Sequence, residues 1–187
     1  MIREGDKAMK TRPTRLMTLL LALILLVGGL TACSRGRKKL SKLSDEEIRQ
    51  YLADAEVEIP DGMEMSTVRQ LIADVEKSGS LYGSPYSNPT YSAFCMELGA
   101  AVNSYNYTDT TQKKPLYALN GRELDQFLAD AGITVPESVS REYIRTWIVV
   151  LEQKPDSDVS RYSEEEINDC AEKVKAAVKS YYGDKAE

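Results

Sequence analysis

Histidine is missing from this sequence of 187 residues, and its absence excludes several common kinds of site. Without an imidazole ring, the chain cannot form a Ser-His-Asp triad, a histidine-ligated metal site or a histidine proton relay. Cysteine occurs only three times, too few for a site in which four cysteines hold a zinc ion. We therefore expect a non-catalytic protein that holds no metal ion and no cofactor.

Positive charge is scarce in the body of the chain. From residue 43 onward, 14 Lys and Arg stand against 27 Asp and Glu, a net charge of −13. Nucleic-acid backbones are bound by clustered Lys and Arg, so we expect no nucleic-acid partner. The remaining Lys and Arg lie in two groups, five before residue 33 and five between residues 35 and 42.

The first group of basic residues precedes an apolar run from Leu16 to Leu30. As a helix of 15 residues, this run would reach about 22 Å, short of the ~30 Å of a bilayer core. Two small residues and Cys33 follow it. Basic residues, a short apolar run and small residues in this order are typical of a secretory signal peptide.

The tetrapeptide Leu30-Thr31-Ala32-Cys33 resembles the lipobox of bacterial lipoproteins. The resemblance implies that residues 1–32 are a signal peptide, and that Cys33 becomes the first residue and receives fatty acids such as palmitate. It also implies a membrane anchor on the outer face of the cell membrane. In a host with an outer membrane, Ser34 implies that membrane, because an Asp there favours retention at the inner one. A plain secretory signal with a free Cys33 is the alternative.

Residues 33–42 contain the second basic group and are expected to form a tether. Near an anionic lipid surface each basic residue contributes about 1 kcal/mol of attraction. The tether can be both solvated and attracted to lipid.

Two further cysteines, Cys95 and Cys170, lie in the body. Outside the cytoplasm they can form a disulfide. Equally, they can be small buried residues, because free cysteine is among the most buried residue types.

Periodic apolar residues predict an all-helical fold. Ser44 and Glu47 form a capping box before Ile48, Tyr51, Leu52 and Ala55, which recur at helical spacing. A second helix has its apolar face at Val68, Leu71, Ile72 and Val75, and a third follows a loop that is rich in Gly, Ser, Pro and Tyr.

The pattern then returns 76 residues later. Aligning residues 43–107 with 119–183 gives 19 identities in 65 positions without a gap, where unrelated sequences give about four. The sequence therefore predicts two tandem three-helix repeats, separated by a linker at 108–118 and packed about a pseudo-twofold axis, with the second repeat reaching residue 187. We expect residues 143–151, with Val149 and Val150 buried, to form the central helix, and Ser163 and Glu166 to repeat the capping box.

Two groups of aromatic residues are candidate binding residues. Tyr82, Tyr86 and Tyr91 lie in the Tyr-rich loop, a composition typical of adaptable binding loops. The alternative is that these rings cover the edge of the core. The recurrence of Tyr86 as Tyr162, 76 positions later, favours this alternative for Tyr86. Trp147 could line a small-ligand site between the repeats.

Some charged residues recur in both repeats. Arg69 and Glu76 correspond to Arg145 and Glu152, and the arginines are expected to bridge to an acidic residue on a neighbouring helix. An enzyme acting on cell-wall material would instead need two carboxylates facing one cleft, drawn from Glu47, Asp54, Glu123 and Asp130.

From the sequence as a whole, we expect a lipid-anchored module that binds a protein or envelope component. A small-ligand-binding lipoprotein and, after it, the carboxylate enzyme are the alternatives.

Overall fold

The structure, a computed structural model, describes residues 37–81 and 91–183. In these ranges the chain has six α-helices and no strand, which confirms the predicted all-α class. The helices are α1 (Asp45–Asp54), α2 (Met65–Ser78), α3 (Ser92–Asn106), α4 (Gly121–Asp130), α5 (Arg141–Gln153) and α6 (Glu165–Tyr182). Two 3-10 helices, Leu40–Lys42 and Leu116–Ala118, precede α1 and α4.

Helix α1 begins at the predicted capping box. The Ser44 hydroxyl accepts a hydrogen bond from the Glu47 backbone N–H, and the Glu47 carboxylate accepts one from the Ser44 N–H. Helix α4 begins with an equivalent box formed by Asn120 and Glu123.

The prediction of a capping box at Ser163 and Glu166 is wrong. Helix α6 begins after Glu164 with no side-chain cap. Nearby, the Asn168 side chain binds both the N–H and the carbonyl of Tyr162 and so holds the approach to the helix.

Buried apolar side chains form two clusters. The first extends from Leu40 to Tyr105 and includes the predicted apolar faces of α1, α2 and α3. The second extends from Leu116 to Val178 and is built from α4, α5 and α6. The described residues from Lys38 onward nevertheless form one compact unit, because α3 packs against α4, α5 and the second 3-10 helix.

The two 3-10 helices lie in the segments predicted to be the tether and the linker, and both are held against the helices. Leu40 and Leu116 are completely buried, one in each cluster. Glu76 accepts hydrogen bonds from the N–H and hydroxyl of Ser41, at 3.2 and 2.6 Å. Glu152 accepts them from the N–H groups of Leu116 and Tyr117, at 2.9 and 3.4 Å. Each glutamate therefore ties a 3-10 helix to the helix two elements later.

Arg69 and Arg145 each bridge to an acidic residue on another helix, as predicted. Arg69 pairs with Asp45 on α1, and Arg145 pairs with Glu97 on α3. The first pair joins α2 to α1, two helices of the first cluster. The second pair joins α5 to α3 and so links the two clusters.

Helix α3 is more enclosed than α5, which corrects the expectation for residues 143–151. Val150 is 38 % exposed and Tyr143 is 50 % exposed, and Val149 is only partly buried. On α3, by contrast, only Ala93 and Asn106 are exposed. The small residues of α3 allow other elements to approach it closely, a feature that apolar content alone does not reveal.

Gly121 marks a close approach between the clusters. Its N–H donates to the carbonyl of Ala55, at the end of α1, at 3.0 Å. A β-carbon at Gly121 would lie 2.8 Å from that carbonyl oxygen and 3.0 Å from the Glu56 β-carbon. The corresponding residue 76 positions earlier is Asp45, whose surroundings are open enough for it to pair with Arg69.

We expect Gly121→Ala to lower the free energy of unfolding by about 1–3 kcal/mol, because backbone must move to admit the methyl group. Urea denaturation measures this change. Gly99→Ala serves as the matched control, since a β-carbon there meets no atom of the described residues within 4 Å and the backbone has no positive φ. A loss for Gly99→Ala as large as that for Gly121→Ala would contradict the close approach.

Candidate functional site

A groove of about 1290 Å³ lies between the two clusters. It is bounded by the end of α2, one face of α3, the second 3-10 helix, and parts of α5 and α6. Its apolar lining includes Met96, Gly99, Ala100, Ile148, Val149 and Val178.

Gly99 lies on the face of α3 that lines the groove and places no side chain there. A β-carbon built on Gly99 meets no atom of the described residues within 4 Å. Glycine inside a helix costs roughly 1 kcal/mol relative to alanine. No described neighbour lies close enough to Gly99 to require glycine there.

The polar groups of the groove are mostly engaged with one another. Lys179 on α6 pairs with Asp156 at 2.8 Å, and the Asn103 amide donates to the Gly79 carbonyl at 3.1 Å. Glu142 accepts a hydrogen bond from the Ser92 hydroxyl at 2.5 Å. These contacts tie the edges of the groove together across different helices.

Arg145 lies at the base of the groove and is only 3 % exposed. Its Nε and Nη2 atoms lie 2.5 and 2.8 Å from the two carboxylate oxygens of Glu97. Its Nη1 donates to the Leu119 carbonyl at 2.8 Å. The guanidinium is therefore fully engaged by the protein, and its charge is neutralised before any ligand arrives.

Glu152 and Tyr182 also line the groove. Burial raises the pKa of Glu152, although hydrogen bonds from Tyr182, Tyr117 and Leu116 act in the opposite direction. Burial and the hydrogen bond to Glu152 raise the pKa of Tyr182 as well. A raised carboxyl pKa can mark a catalytic acid. Here the same contacts hold a 3-10 helix, as those of Glu76 do, so a structural role accounts for them.

The aromatic residues proposed for binding are separated. Tyr91 is half-buried against the first cluster. Trp147 is 3 % exposed within the second cluster, where its indole N–H donates to the Tyr162 hydroxyl at 2.9 Å, and it does not line the groove. Tyr82, Tyr86 and Cys33 lie outside the described residues.

Cys95 and Cys170 are both buried, Cys95 in the first cluster and Cys170 in the second. Burial raises the pKa of each thiol. Cys95 also lines the groove. A disulfide between the two stays a prediction.

The four carboxylates considered for an enzyme do not line the groove. Asp54 and Asp130 accept hydrogen bonds from Gln50 and Gln126, one turn earlier on their own helices. Glu47 and Glu123 cap α1 and α4. Within residues 37–81 and 91–183, no three Cys, Asp or Glu side chains are placed to share a metal ion.

Glu123 differs from Glu47 in its charged surroundings. Burial alone would raise the pKa of Glu123, but hydrogen bonds from Lys114, Asn120 and Ser104 outweigh it and lower the pKa. A lowered pKa means that folding favours the ionised form. Its stabilisation is therefore complete above the ordinary value of 4.5 and is lost as the pH falls.

We expect Glu123→Gln to lower the free energy of unfolding at pH 7 by about 1 kcal/mol, since Lys114 lies 2.6 Å away. Glutamine still completes a capping box, so the charge is what this change removes. Glu47→Gln is the matched control and should have a smaller effect. Chemical denaturation between pH 7 and pH 3 should show a shallower loss of stability for Glu123→Gln than for the native chain. A parallel loss would contradict the role of the charge.

The comparisons with known proteins give no relative: the chain matches no protein-family model, no curated protein and no solved structure. No helix in the described ranges is both long and apolar enough to cross a bilayer. Functional conclusions for this chain therefore depend on its own residues and geometry.

The sequence predicts a possible site between the repeats but not the residues that line the groove, because its walls come from helices distant along the chain. The detectable signal is Gly99-Ala100-Ala101 inside an otherwise strong helix.

Proposed function

We propose that this protein is a lipid-anchored helical module outside the cytoplasm, whose groove binds an apolar segment of a protein of the cell envelope. Lipid on Cys33 provides the membrane anchor, as the lipobox implies. The single observation that carries the binding function is the open, apolar groove beside Gly99. A glycine that costs helix stability and has no described atom within 4 Å of its β-position fits a protein that keeps this groove open for a partner.

The size of the groove favours a protein segment over a small molecule. Small-molecule sites typically enclose about 300–1,000 Å³, and this groove is larger and open to solvent. An amphipathic helix that lays its apolar face into such a groove is a common mode of recognition. The body is acidic overall, so basic residues should flank the apolar face of the partner segment.

A small ligand between the repeats is the second candidate, supported by the same groove. Trp147 cannot report on such a ligand by direct contact, because its ring is buried away from the groove. The enzyme alternative has no comparable support, since its four candidate carboxylates lie elsewhere.

We also propose that the two halves, at about 43–107 and 119–183, arose by duplication and pack about a pseudo-twofold axis. Contacts at positions 76 apart support this. Arg69 and Arg145 donate to the carbonyls of Leu43 and Leu119, at 2.7 and 2.8 Å. The glutamates that fasten the two 3-10 helices, Glu76 and Glu152, are also 76 positions apart. The pattern extends the repeat back to the residues of the 3-10 helices.

A photo-crosslinking amino acid at Val149, in the full chain in its host's envelope, tests the groove. We expect it to form a covalent adduct with a protein, identified by mass spectrometry. The same amino acid at Glu172, which is exposed on α6 and does not line the groove, should not form that adduct. An adduct with the mass of a small molecule would support the second candidate instead.

Two substitutions at Gly99 separate groove filling from misfolding. Gly99→Trp should abolish the Val149 adduct by filling the groove, while the helical circular dichroism is retained. Gly99→Ala should keep most of the adduct and raise the free energy of unfolding by about 1 kcal/mol, measured in urea. Equal adduct yields from the native chain and from a folded Gly99→Trp would show that the groove is not the binding site.

A further inference from the structure

The basic residues before α1 are attached to the folded unit. The Tyr105 hydroxyl donates to the Lys38 carbonyl at 3.0 Å. Leu40 is completely buried, and Ser41 is held by Glu76. From Lys38 onward, the chain therefore belongs to the domain, and the expected flexible tether is shorter than ten residues.

The short connection fixes how far this end of the domain can be from a lipid on Cys33. Five peptide units separate Cys33 from Lys38, and a fully extended chain spans at most about 3.6 Å per residue. The separation of the two α-carbons is therefore at most about 18 Å. This limit does not apply to other parts of the domain surface, whose distance from the lipid on Cys33 can be larger.

Positive side chains are concentrated at the same end. Arg37, Lys38, Lys39 and Lys42 are all exposed. Among the residues that the structure describes, no salt bridge involves Lys38, Lys39 or Lys42.

The carboxylates near this end differ in how their charge is balanced. Arg69 is the counterion of Asp45, whereas the serines that donate to Glu47 and Glu76 are neutral. Glu47 accepts its hydrogen bonds from Ser44 at the start of α1. The hydrogen bonds from Ser44 and, to a smaller extent, the charge of Lys38 lower the pKa of Glu47. Glu46 is the exposed carboxylate that remains in the first turn of that helix.

We propose that the exposed side chains of Lys38, Lys39 and Lys42, beside the buried Leu40 and Ser41, form a membrane-facing surface that rests on anionic lipid headgroups. The inference rests on the proposed lipid anchor, which brings this end to the bilayer. The acidic remainder of the body is repelled by the same headgroups, so the two forces together orient the domain. A partner segment then meets the groove at a defined height above the membrane.

Amine footprinting of the mature chain, residues 33–187, tests this orientation. Cys33 is coupled chemically to a maleimide lipid in vesicles, a reaction that the burial of Cys95 and Cys170 directs to Cys33. One set of vesicles contains phosphatidylglycerol and phosphatidylcholine, and the other contains phosphatidylcholine alone. Mass spectrometry then measures the rate at which a membrane-impermeant acylating reagent modifies each lysine.

We expect Lys39 and Lys42 to react at least about fivefold more slowly on the anionic vesicles than on the neutral ones. Lys154, which is exposed and forms no salt bridge with any residue that the structure describes, should react equally on both. Replacing Lys39 and Lys42 by Glu should remove the protection of Lys38, because the lysines that attract the anionic headgroups become acidic. High salt should remove the protection.

Equal rates for Lys39 and Lys42 on the two vesicles would overturn the proposed surface. Because the lipid is attached chemically, that result would not bear on whether cells lipidate Cys33. Conversely, an unmodified Cys33 in cells would contradict the anchor and leave the vesicle result unchanged. The two failures are therefore distinguishable.

Discussion

Arg145→Met is expected to lower the free energy of unfolding by about 3–5 kcal/mol, the range for breaking a buried ion pair. Arg145 is 3 % exposed, and its guanidinium is paired with both carboxylate oxygens of Glu97. Methionine fills similar space but leaves Glu97 without its paired guanidinium and the Leu119 carbonyl without its donor. Because this pair joins α5 to α3, its loss should weaken the contact between the two clusters. Urea denaturation followed by circular dichroism measures the change.

Arg69→Met is the matched control for Arg145→Met. Arg69 occupies the position 76 residues earlier, but its side chain is 33 % exposed and its partner Asp45 is 58 % exposed. We expect the free energy of unfolding to fall by about 1–2 kcal/mol, because the change removes a weak exposed ion pair and two hydrogen bonds to carbonyls. Adding Glu97→Gln to Arg145→Met should restore part of the stability, because no unpaired charge remains. Equal losses for Arg145→Met and Arg69→Met would contradict the buried link between the clusters.

Leu40→Ala is expected to cost about 2–5 kcal/mol, although the sequence places this residue in a tether. Leu40 is completely buried in the first cluster, and truncation leaves a cavity that the fastened 3-10 helix cannot close. For the same reason, a fragment that begins at residue 43 should be markedly less stable than one that begins at residue 37. Thermal denaturation of the two fragments and of the variant measures both effects.

Lys39→Ala and Leu116→Ala serve as controls for Leu40→Ala. Lys39 is exposed, so its replacement should change the free energy of unfolding by less than about 0.5 kcal/mol. Leu116 occupies the equivalent buried position in the second cluster, and its truncation should cost as much as that of Leu40. A Leu40→Ala variant as stable as Lys39→Ala would show that the segment before residue 43 is not part of the core.

Local signals in the sequence predicted much of the fold. The apolar faces of α1 and α2 follow from residues such as Ile48, Leu52, Val68 and Ile72, all of which are buried. The cap of α1 follows from Ser44 and Glu47, because both hydrogen bonds lie within four residues. These features depend on neighbours along the chain, which a sequence displays directly.

Features that depend on distant contacts were predicted less well. The Ser163 box failed although its residue types fit, because Asn168 holds Tyr162 and the helix begins one residue later. Trp147 was placed in a binding site by its ring, yet its indole packs inside the second cluster.

The acidic partner of Arg145 illustrates the same limit. Arg69 pairs with Asp45 at the start of α1, but the corresponding residue of α4 is Gly121, which has no side chain to pair with Arg145. The partner is Glu97 from α3, which the packing of the two clusters brings within reach. The groove arises from that same packing, so it too could be seen only in three dimensions.

Mass spectrometry of the N-terminal peptide of the mature protein, purified from membranes of its host, tests the anchor on which the account depends. We predict that the first residue is Cys33 and that its sulfur carries a diacylglyceryl group. A mature chain that begins upstream of Cys33, or that carries an unmodified Cys33, would contradict the account.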